Sequence, residues 1–194
     1  VEAVYGAEWY NNNATLTPKA AAHNATLPFT RNVIGPMDYT PCTFSDSQHK
    51  HITTHAHELA LPVLFESPLL HWADKPESYL VQPKEVKDFM SALPTTWDET
   101  RLLGGHPGEW VVMARRQGNT WYIAGINGKD VPQTLSFDTS FLPKGKYTLF
   151  TDKAGYKGDL PADNPDPWSI KKGKSKVPAK IACQPRGGFV MVMY

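Results

Sequence analysis

Two glutamates lie in an aromatic stretch at the start of the chain. Glu2 and Glu8 are six positions apart, and Tyr5, Trp9 and Tyr10 lie between and after them. Cleavage of a glycosidic bond needs a carboxylic acid that protonates the leaving oxygen, and an apolar wall raises the pKa of such a group so that it keeps its proton. Aromatic rings also stack on sugar rings. From the spacing alone, however, two surface glutamates in a loop are the preferred interpretation.

A dense group of histidines follows, made of His49, His51, His55 and His57 together with Glu58. On a helix, His51, His55 and Glu58 would share one face, and such a set can bind zinc. The pattern is not HExxH, and no cysteine supports it. We therefore interpret the group as a polar loop that leads into the N-terminus of a helix.

A helix over about residues 53–66 is predicted to position these side chains. Thr53 or Thr54 can cap it, and the apolar residues that follow recur at helical spacing, which predicts a mostly buried helix. Pro62 should distort it, at a cost of about 3 kcal/mol unless its neighbours compensate. Glu66 closes the helix and is predicted to be a partly buried carboxylate with a structural or calcium-related role.

Two more elements are predicted before residue 95. A helix is expected over residues 83–93, because Pro83 suits a first helical turn and Val86 and Phe89 begin one apolar face. The β-branched run from Phe29 to Ile34 is predicted to be a short buried strand.

The pattern becomes β-like from about residue 97. Short alternating or β-branched segments separated by turn residues predict an antiparallel β-sandwich. The predicted strands are residues 110–115, 120–125, 133–138, 145–150, 176–183 and 189–194. The basic run between Lys171 and Lys176 is interpreted as a solvated hairpin tip.

Composition excludes several classes of protein. The 194 residues carry a net charge of +1, which does not fit a domain that binds nucleic acid through bulk positive charge. No segment approaches the roughly 18 apolar residues that span a bilayer. The two cysteines, Cys42 and Cys183, are far apart and are interpreted as buried apolar residues. Val1 is not expected to be a native start, because the first residues read like the middle of an ordered segment.

Four collinear blocks resemble glycoside hydrolase family 97, whose members include bacterial α-glucosidases and α-galactosidases. The blocks are Asn24-Ala-Thr-Leu-Pro-Phe-Thr-Arg-Asn-Val-Ile-Gly-Pro-Met-Asp-Tyr-Thr-Pro41, Ala56-His-Glu-Leu-Ala-Leu-Pro-Val-Leu-Phe-Glu-Ser67, Leu93-Pro-Thr-Thr-Trp-Asp-Glu-Thr100 and Thr120-Trp-Tyr-Ile-Ala-Gly-Ile-Asn127. The resemblance covers residues 1 to about 130, and beyond that only the β character agrees.

The resemblance also assigns roles to the first residues. Glu2-Ala-Val-Tyr-Gly-Ala-Glu8 is similar to the family's Glu-x-Val-Arg-Gly-x-Glu segment. By that match Glu8 is the general acid and Glu2 is a ligand of Ca²⁺. We predict that Trp9 or Tyr10 edges the pocket around Glu8. Tyr5 replaces the family's arginine, and Ala21-Ala22-His23 stands where many members have Pro-Glu-His. The family's base or nucleophile lies upstream of this segment.

The sequence therefore predicts an α+β chain: residues 1–95 as the C-terminal part of a (β/α)8 catalytic barrel and residues 96–194 as an antiparallel β-sandwich. The predicted function is part of a calcium-dependent, exo-acting α-glycosidase, periplasmic or secreted in a bacterium and inactive as this piece alone. Its expected partners are a glycoside substrate and the remainder of the enzyme, with neither nucleic acid nor a membrane. The alternative is a non-catalytic β-sandwich module that binds carbohydrate or a partner.

Overall fold

The computed structural model describes residues 4–46, 48–155, 166–175 and 177–194. Within them the chain is α+β, with helices before residue 95 and antiparallel strands after it. The strands are β1 (Glu99–His106), β2 (Trp110–Gln117), β3 (Thr120–Asn127), β4 (Gln133–Ser136), β5 (Lys146–Asp152), β6 (Trp168–Lys174), β7 (Lys180–Cys183) and β8 (Gly188–Met193).

Six of these strands form one antiparallel sheet in the order β1-β2-β3-β8-β5-β6, and β4 pairs with β7 in a second sheet. The β2–β3 hairpin turns through Gly118 and Asn119, and Gly118 has a φ of 55°, a conformation that favours glycine. The antiparallel β region and all six of its predicted strands are confirmed. The sequence did not predict β1, and it placed β6 in a hairpin tip.

The large sheet is covered on both faces. On one face, the small sheet contributes Leu135, Ile181 and Cys183 to a core with residues of β2, β3, β5 and β8, so the two sheets form a sandwich. The other face packs against helical residues, and its buried side chains are Val111, Tyr122, Ala124, Ile126, Phe150, Val190 and Val192.

The helix α3 (His55–Leu64) lies against that second face. Preceding it are α1 (Ala7–Asn12) and α2 (Ala20–Asn24); following it are α4 (Pro76–Leu80) and α5 (Lys84–Ala92). All ten residues of α3 are buried, since the sheet lies on one side and the segment from Leu27 to Phe44 packs on another. The helices predicted over 53–66 and 83–93 are confirmed as α3 and α5.

The strand predicted from Phe29 to Ile34 is wrong. Leu27–Phe29 and Arg31–Ile34 are 3-10 helices, closed by short-range bonds such as Val33 N–H to the Thr30 carbonyl. No strand occurs among the described residues before Glu99, so this part of the chain does not form the barrel strands that the sequence predicts. Val33 and Ile34 are 70% and 82% exposed, which places an apolar patch on the surface.

No helix in the described ranges is both long enough and apolar enough to cross a membrane.

Candidate active site

The first helix carries the predicted acid. Gly6 precedes α1, and Glu8 lies in its first turn with an exposed side chain. The hydroxyl of Thr40 donates a hydrogen bond to Oε2 of Glu8. A Cβ atom at Gly6 would lie 2.7 Å from both oxygens of the Glu8 carboxylate, so a larger residue at this position would displace the carboxylate from its present place. The structure thus holds Glu8 by its surroundings and leaves it open to solvent.

The aromatic side chains at this helix differ in exposure. Trp9 is 51% exposed and lies edge-on to Tyr5, with 6.3 Å between the ring centroids. Tyr10 is buried, its centroid 5.1 Å from that of His23. Burial raises the pKa of Tyr10, and the nearby Tyr5 adds to the rise. Burial lowers the pKa of His23 to about 4, so its ring is neutral at physiological pH. Trp9 therefore presents a ring to solvent, whereas Tyr10 packs inside.

The loop that carries Thr40 is fixed on both sides. Before it, the Tyr39 hydroxyl donates to Oδ1 of Asn24 at 2.9 Å, and Nδ2 of Asn24 lies 3.1 Å from Nε2 of His57. After it, the Thr43 amide donates to Oε2 of Glu58 at 3.1 Å. Burial lowers the pKa of His57 to about 3, so its ring is neutral. Because Nδ2 of Asn24 can only donate, Nε2 of His57 is the nitrogen that accepts this bond.

The histidine group is structural in this fold. His55, His57 and Glu58 are buried in α3, and the ring of His51 pairs with Asp46 at 2.9 Å. Burial raises the pKa of Glu58, opposed by the Thr53 hydroxyl, which donates to Oε1 at 2.5 Å. The group does lead through a loop into the N-terminus of a helix, as the sequence indicates, but His51, His55, His57 and Glu58 are buried rather than solvated.

The described residues offer no metal site. No group of three or more histidine, cysteine, aspartate or glutamate side chains among them could hold a metal ion, so the zinc alternative fails there. Glu2, the predicted calcium ligand, lies outside the described residues. The described residues therefore do not form a calcium site by themselves.

Glu66 follows the end of α3 with a side chain that is 48% exposed, beside the buried side chain of Arg115. Arg115 is almost fully buried, donates to the carbonyl of Leu64 at 3.2 Å and lies 3.8 Å from the Glu66 carboxylate. A cation at the C-terminus of a helix is favourable, because the last carbonyls carry partial negative charge. This pair is therefore structural, and sequence patterns gave no signal for Arg115.

A cleft of about 620 Å³ lies beside α1. Tyr5, His23, Thr26, Leu27 and Arg31 line it, giving one aromatic wall and several polar groups. Glu8 is not among the lining residues. Two of the predicted site residues, Glu8 and Trp9, thus lie together on α1. The described residues do not enclose a complete sugar pocket around the Glu8 carboxylate.

Comparison with known proteins assigns the family. Residues 96–194 match the family described as "Glycosyl-hydrolase 97 C-terminal, oligomerisation". A retaining α-galactosidase from Bacteroides thetaiotaomicron is 35% identical over 185 residues, covering 87% of this chain and 27% of that protein. A probable retaining α-galactosidase from Streptomyces bingchenggensis is 50% identical over 105 residues, which is 54% of this chain and 16% of the relative.

Solved structures agree with this assignment. A crystal structure of a β-arabinopyranosidase superposes with a TM-score of 0.83 at 31% identity, covering 98% of this chain and 30% of that one. A family 97 enzyme from Pseudoalteromonas sp. strain K8, in complex with panose, gives a TM-score of 0.77 at 26% identity, with 99% and 31% covered. The chain thus spans less than a third of the relatives it matches. It belongs to glycoside hydrolase family 97, of which it represents the C-terminal portion.

Proposed function

We propose that this chain is the C-terminal portion of an exo-acting, retaining α-glycosidase whose preferred substrate is an α-galactoside. Both curated relatives named above are described as retaining α-galactosidases. The β-arabinopyranosidase name points the same way, because a β-L-arabinopyranoside has the ring configuration of an α-D-galactoside without the C6 group. The panose complex supports an α-glucoside as the alternative substrate.

The observation that carries the proposal is the placement of Glu8. Its carboxyl group is exposed and held by Thr40, and the next residue on the same helix, Trp9, has a half-exposed ring. As general acid, Glu8 would give its proton to the glycosidic oxygen while the bond from C1 to that oxygen breaks. The resulting carboxylate would then take a proton from the water that releases the sugar. Trp9 would stack on the sugar, and Tyr10 would support the helix from inside.

The nucleophile and the rest of the pocket are proposed to come from the remainder of the enzyme. The exposed apolar side chains of Val33 and Ile34 support this view, because surfaces of this kind commonly mark protein contacts. We place the enzyme in the bacterial periplasm or outside the cell. If Glu8 has no catalytic role, the alternative is a non-catalytic module that binds carbohydrate or a partner, in line with the oligomerisation named in the family description.

Substitution of Glu8 in the complete enzyme tests the proposal. We expect Glu8→Gln to lower kcat/KM at least ~10²-fold on galactosides with poor leaving groups, since general acid help is typically worth 10²–10⁴-fold. Activated aryl galactosides need little protonation and should be spared. Glu77→Gln, on the exposed face of α4, is the matched control and should leave kcat/KM unchanged on both substrate types. An equal loss on both substrate types would refute proton donation by Glu8.

Calcium is a separate proposal. We propose that Glu2 gives one carboxylate to a Ca²⁺ site whose other ligands lie outside this chain, because calcium takes 6–8 oxygen ligands. The 194-residue chain should then show no micromolar Ca²⁺ binding by calorimetry and no hydrolysis of α-glucosides or α-galactosides. The complete enzyme should bind the ion, and Glu2→Gln should weaken that binding. Tight binding by the chain alone would mean that its own residues complete the site.

A further inference from the structure

Thr40 is the donor that contacts the proposed acid. Its hydroxyl donates to Oε2 of Glu8. The two residues are 32 positions apart, so the contact depends on the tertiary fold. Because Oε2 already accepts this bond, Oε1 is the oxygen left to carry a transferable proton.

The fold fixes Thr40 more firmly than a surface threonine requires. Tyr39 is tied through Asn24 to His57 inside the protein, at 2.9 and 3.1 Å. Two residues after Thr40, Cys42 has a φ of 69°, which is an unfavourable conformation for any residue but glycine. That conformation accompanies the bond from the Thr43 amide to Glu58. The loop thus holds one exposed hydroxyl between two buried anchors.

We propose that Thr40 is the positioning residue of the general acid, an inference that rests on the proposed role of Glu8. While the acid is protonated, Thr40 holds Oε2 and directs the proton on Oε1 toward the glycosidic oxygen. When the proton has moved to the leaving oxygen and the bond from C1 has broken, the same hydroxyl stabilises the negative charge on the carboxylate. Hydrogen bonds to charged groups are stronger than those to neutral ones, so the contact strengthens as the reaction proceeds.

Thr40→Val in the complete enzyme removes the hydroxyl and keeps the shape of the side chain. We expect kcat/KM on poor leaving groups to fall about 10- to 100-fold, the range that a hydrogen bond to a charged group is worth. Activated aryl galactosides should be nearly unaffected. The alkaline limb of the pH profile of kcat/KM should also move to higher pH, because the ionised form of Glu8 loses its donor.

Two variants control for structural effects. Thr40→Ser keeps the hydroxyl and should restore both the rate and the pH limb. Thr100→Val makes the same change at an exposed position of β1 and should alter neither. If Thr40→Val lowers kcat/KM equally on both substrate classes and leaves the alkaline limb of the pH profile unchanged, Thr40 is only structural and the inference is wrong. The same conclusion follows if the variant behaves like the parent enzyme.

The outcome for Glu8→Gln separates this inference from the function on which it rests. If that variant shows the dependence on leaving group and Thr40→Val does not, only the role of Thr40 is refuted. If Glu8→Gln shows no such dependence, the proposed acid fails and the role of Thr40 fails with it.

Discussion

At the scale of single residues, Asp152 joins the sheet to the start of α3. It lies buried at the end of β5 and accepts hydrogen bonds from the Thr54 hydroxyl at 2.7 Å, the Ala56 amide at 3.0 Å and the Gly188 amide at 3.4 Å. Thr54 also caps α3 by accepting a bond from the amide of His57. Burial raises the pKa of Asp152 to about 7, and the three hydrogen bonds oppose the rise. One carboxyl group therefore holds helix and sheet together.

This pKa predicts a pH dependence of stability. Because the folded value of about 7 exceeds the unfolded value, the folded protein binds the proton more tightly, and this stabilisation is lost as pH rises from about 4 to about 7. In Asp152→Asn the side chain cannot titrate, and its NH₂ group faces backbone and hydroxyl groups that are themselves donors. At pH values where Asp152 is protonated, we therefore expect the free energy of unfolding of the variant to be lower than that of the parent chain by about 1–3 kcal/mol. Denaturant unfolding at pH 4.5, 6 and 8 should show that the difference in unfolding free energy between the parent chain and Asp152→Asn becomes smaller as pH rises.

The control is Asp38→Asn, an exposed position whose unfolding free energy should follow that of the parent chain at every pH. A gap between the parent chain and Asp152→Asn that widens with pH would show that the hydrogen bonds outweigh burial. Asp152 would then act as an ordinary ionised cap of the helix.

At the scale of elements, α3 shows how a helix continues through a proline. Pro62 has no amide hydrogen, so the carbonyl of Glu58, four residues earlier, loses its helical partner. The Sγ atom of Cys42 donates to that carbonyl at 3.3 Å. The helix therefore runs on to Leu64, because a loop residue replaces the missing bond. The distortion that Pro62 predicts is compensated by a contact that the sequence does not reveal.

Elements that are buried on a periodic face were predictable, and elements set by distant partners were not. The helix α5 has one periodic apolar face, whereas α3 and the central strands β3 and β8 are apolar along most of their length. β6 is an edge strand with exposed lysines, and charged edges of this kind keep sheets from pairing with each other, so its pattern resembles a loop. Residues 29–34 have β-branched side chains but pair with no strand, and Pro28 favours the first turn of a 3-10 helix.

The candidate site follows the same division. Glu8 and Trp9 came from one short segment and from its resemblance to a family motif. Thr40 lay within another block of the same resemblance, yet its contact with Glu8 depends on anchors from α2 and α3. Sequence spacing carries no information about such a contact, because the chain between the two residues runs through several short helices whose arrangement is set by the tertiary fold. The exposure of Trp9 against the burial of Tyr10 likewise needed the fold.

At the scale of the whole molecule, the helical and β parts share one core. The buried cluster beneath α3 contains Leu59, Leu61 and Leu64 from the helix together with Val190 and Val192 from β8. The hydrogen bonds of Asp152 cross the same junction. The division of the chain at residue 95 stays a prediction, and the shared core gives it a definite test.

Residues 96–194, the segment matched by the family, should not be stable without the helices. Alone, this segment would expose the sheet face on which α3 packs, and each large apolar side chain there is worth roughly 1.5–3 kcal/mol when fully buried. We expect the isolated segment to bind a hydrophobic dye and to unfold at a lower denaturant concentration than the 194-residue chain, or to aggregate. The complete chain should unfold in one transition, with the same midpoint by circular dichroism and by tryptophan fluorescence, because helix and sheet lose their common core together.

Adding Val190→Thr and Val192→Thr to the isolated segment should reduce dye binding, since both side chains lie on the uncovered face. A segment that unfolds at the midpoint of the full chain and binds no dye would instead establish residues 96–194 as an autonomous domain.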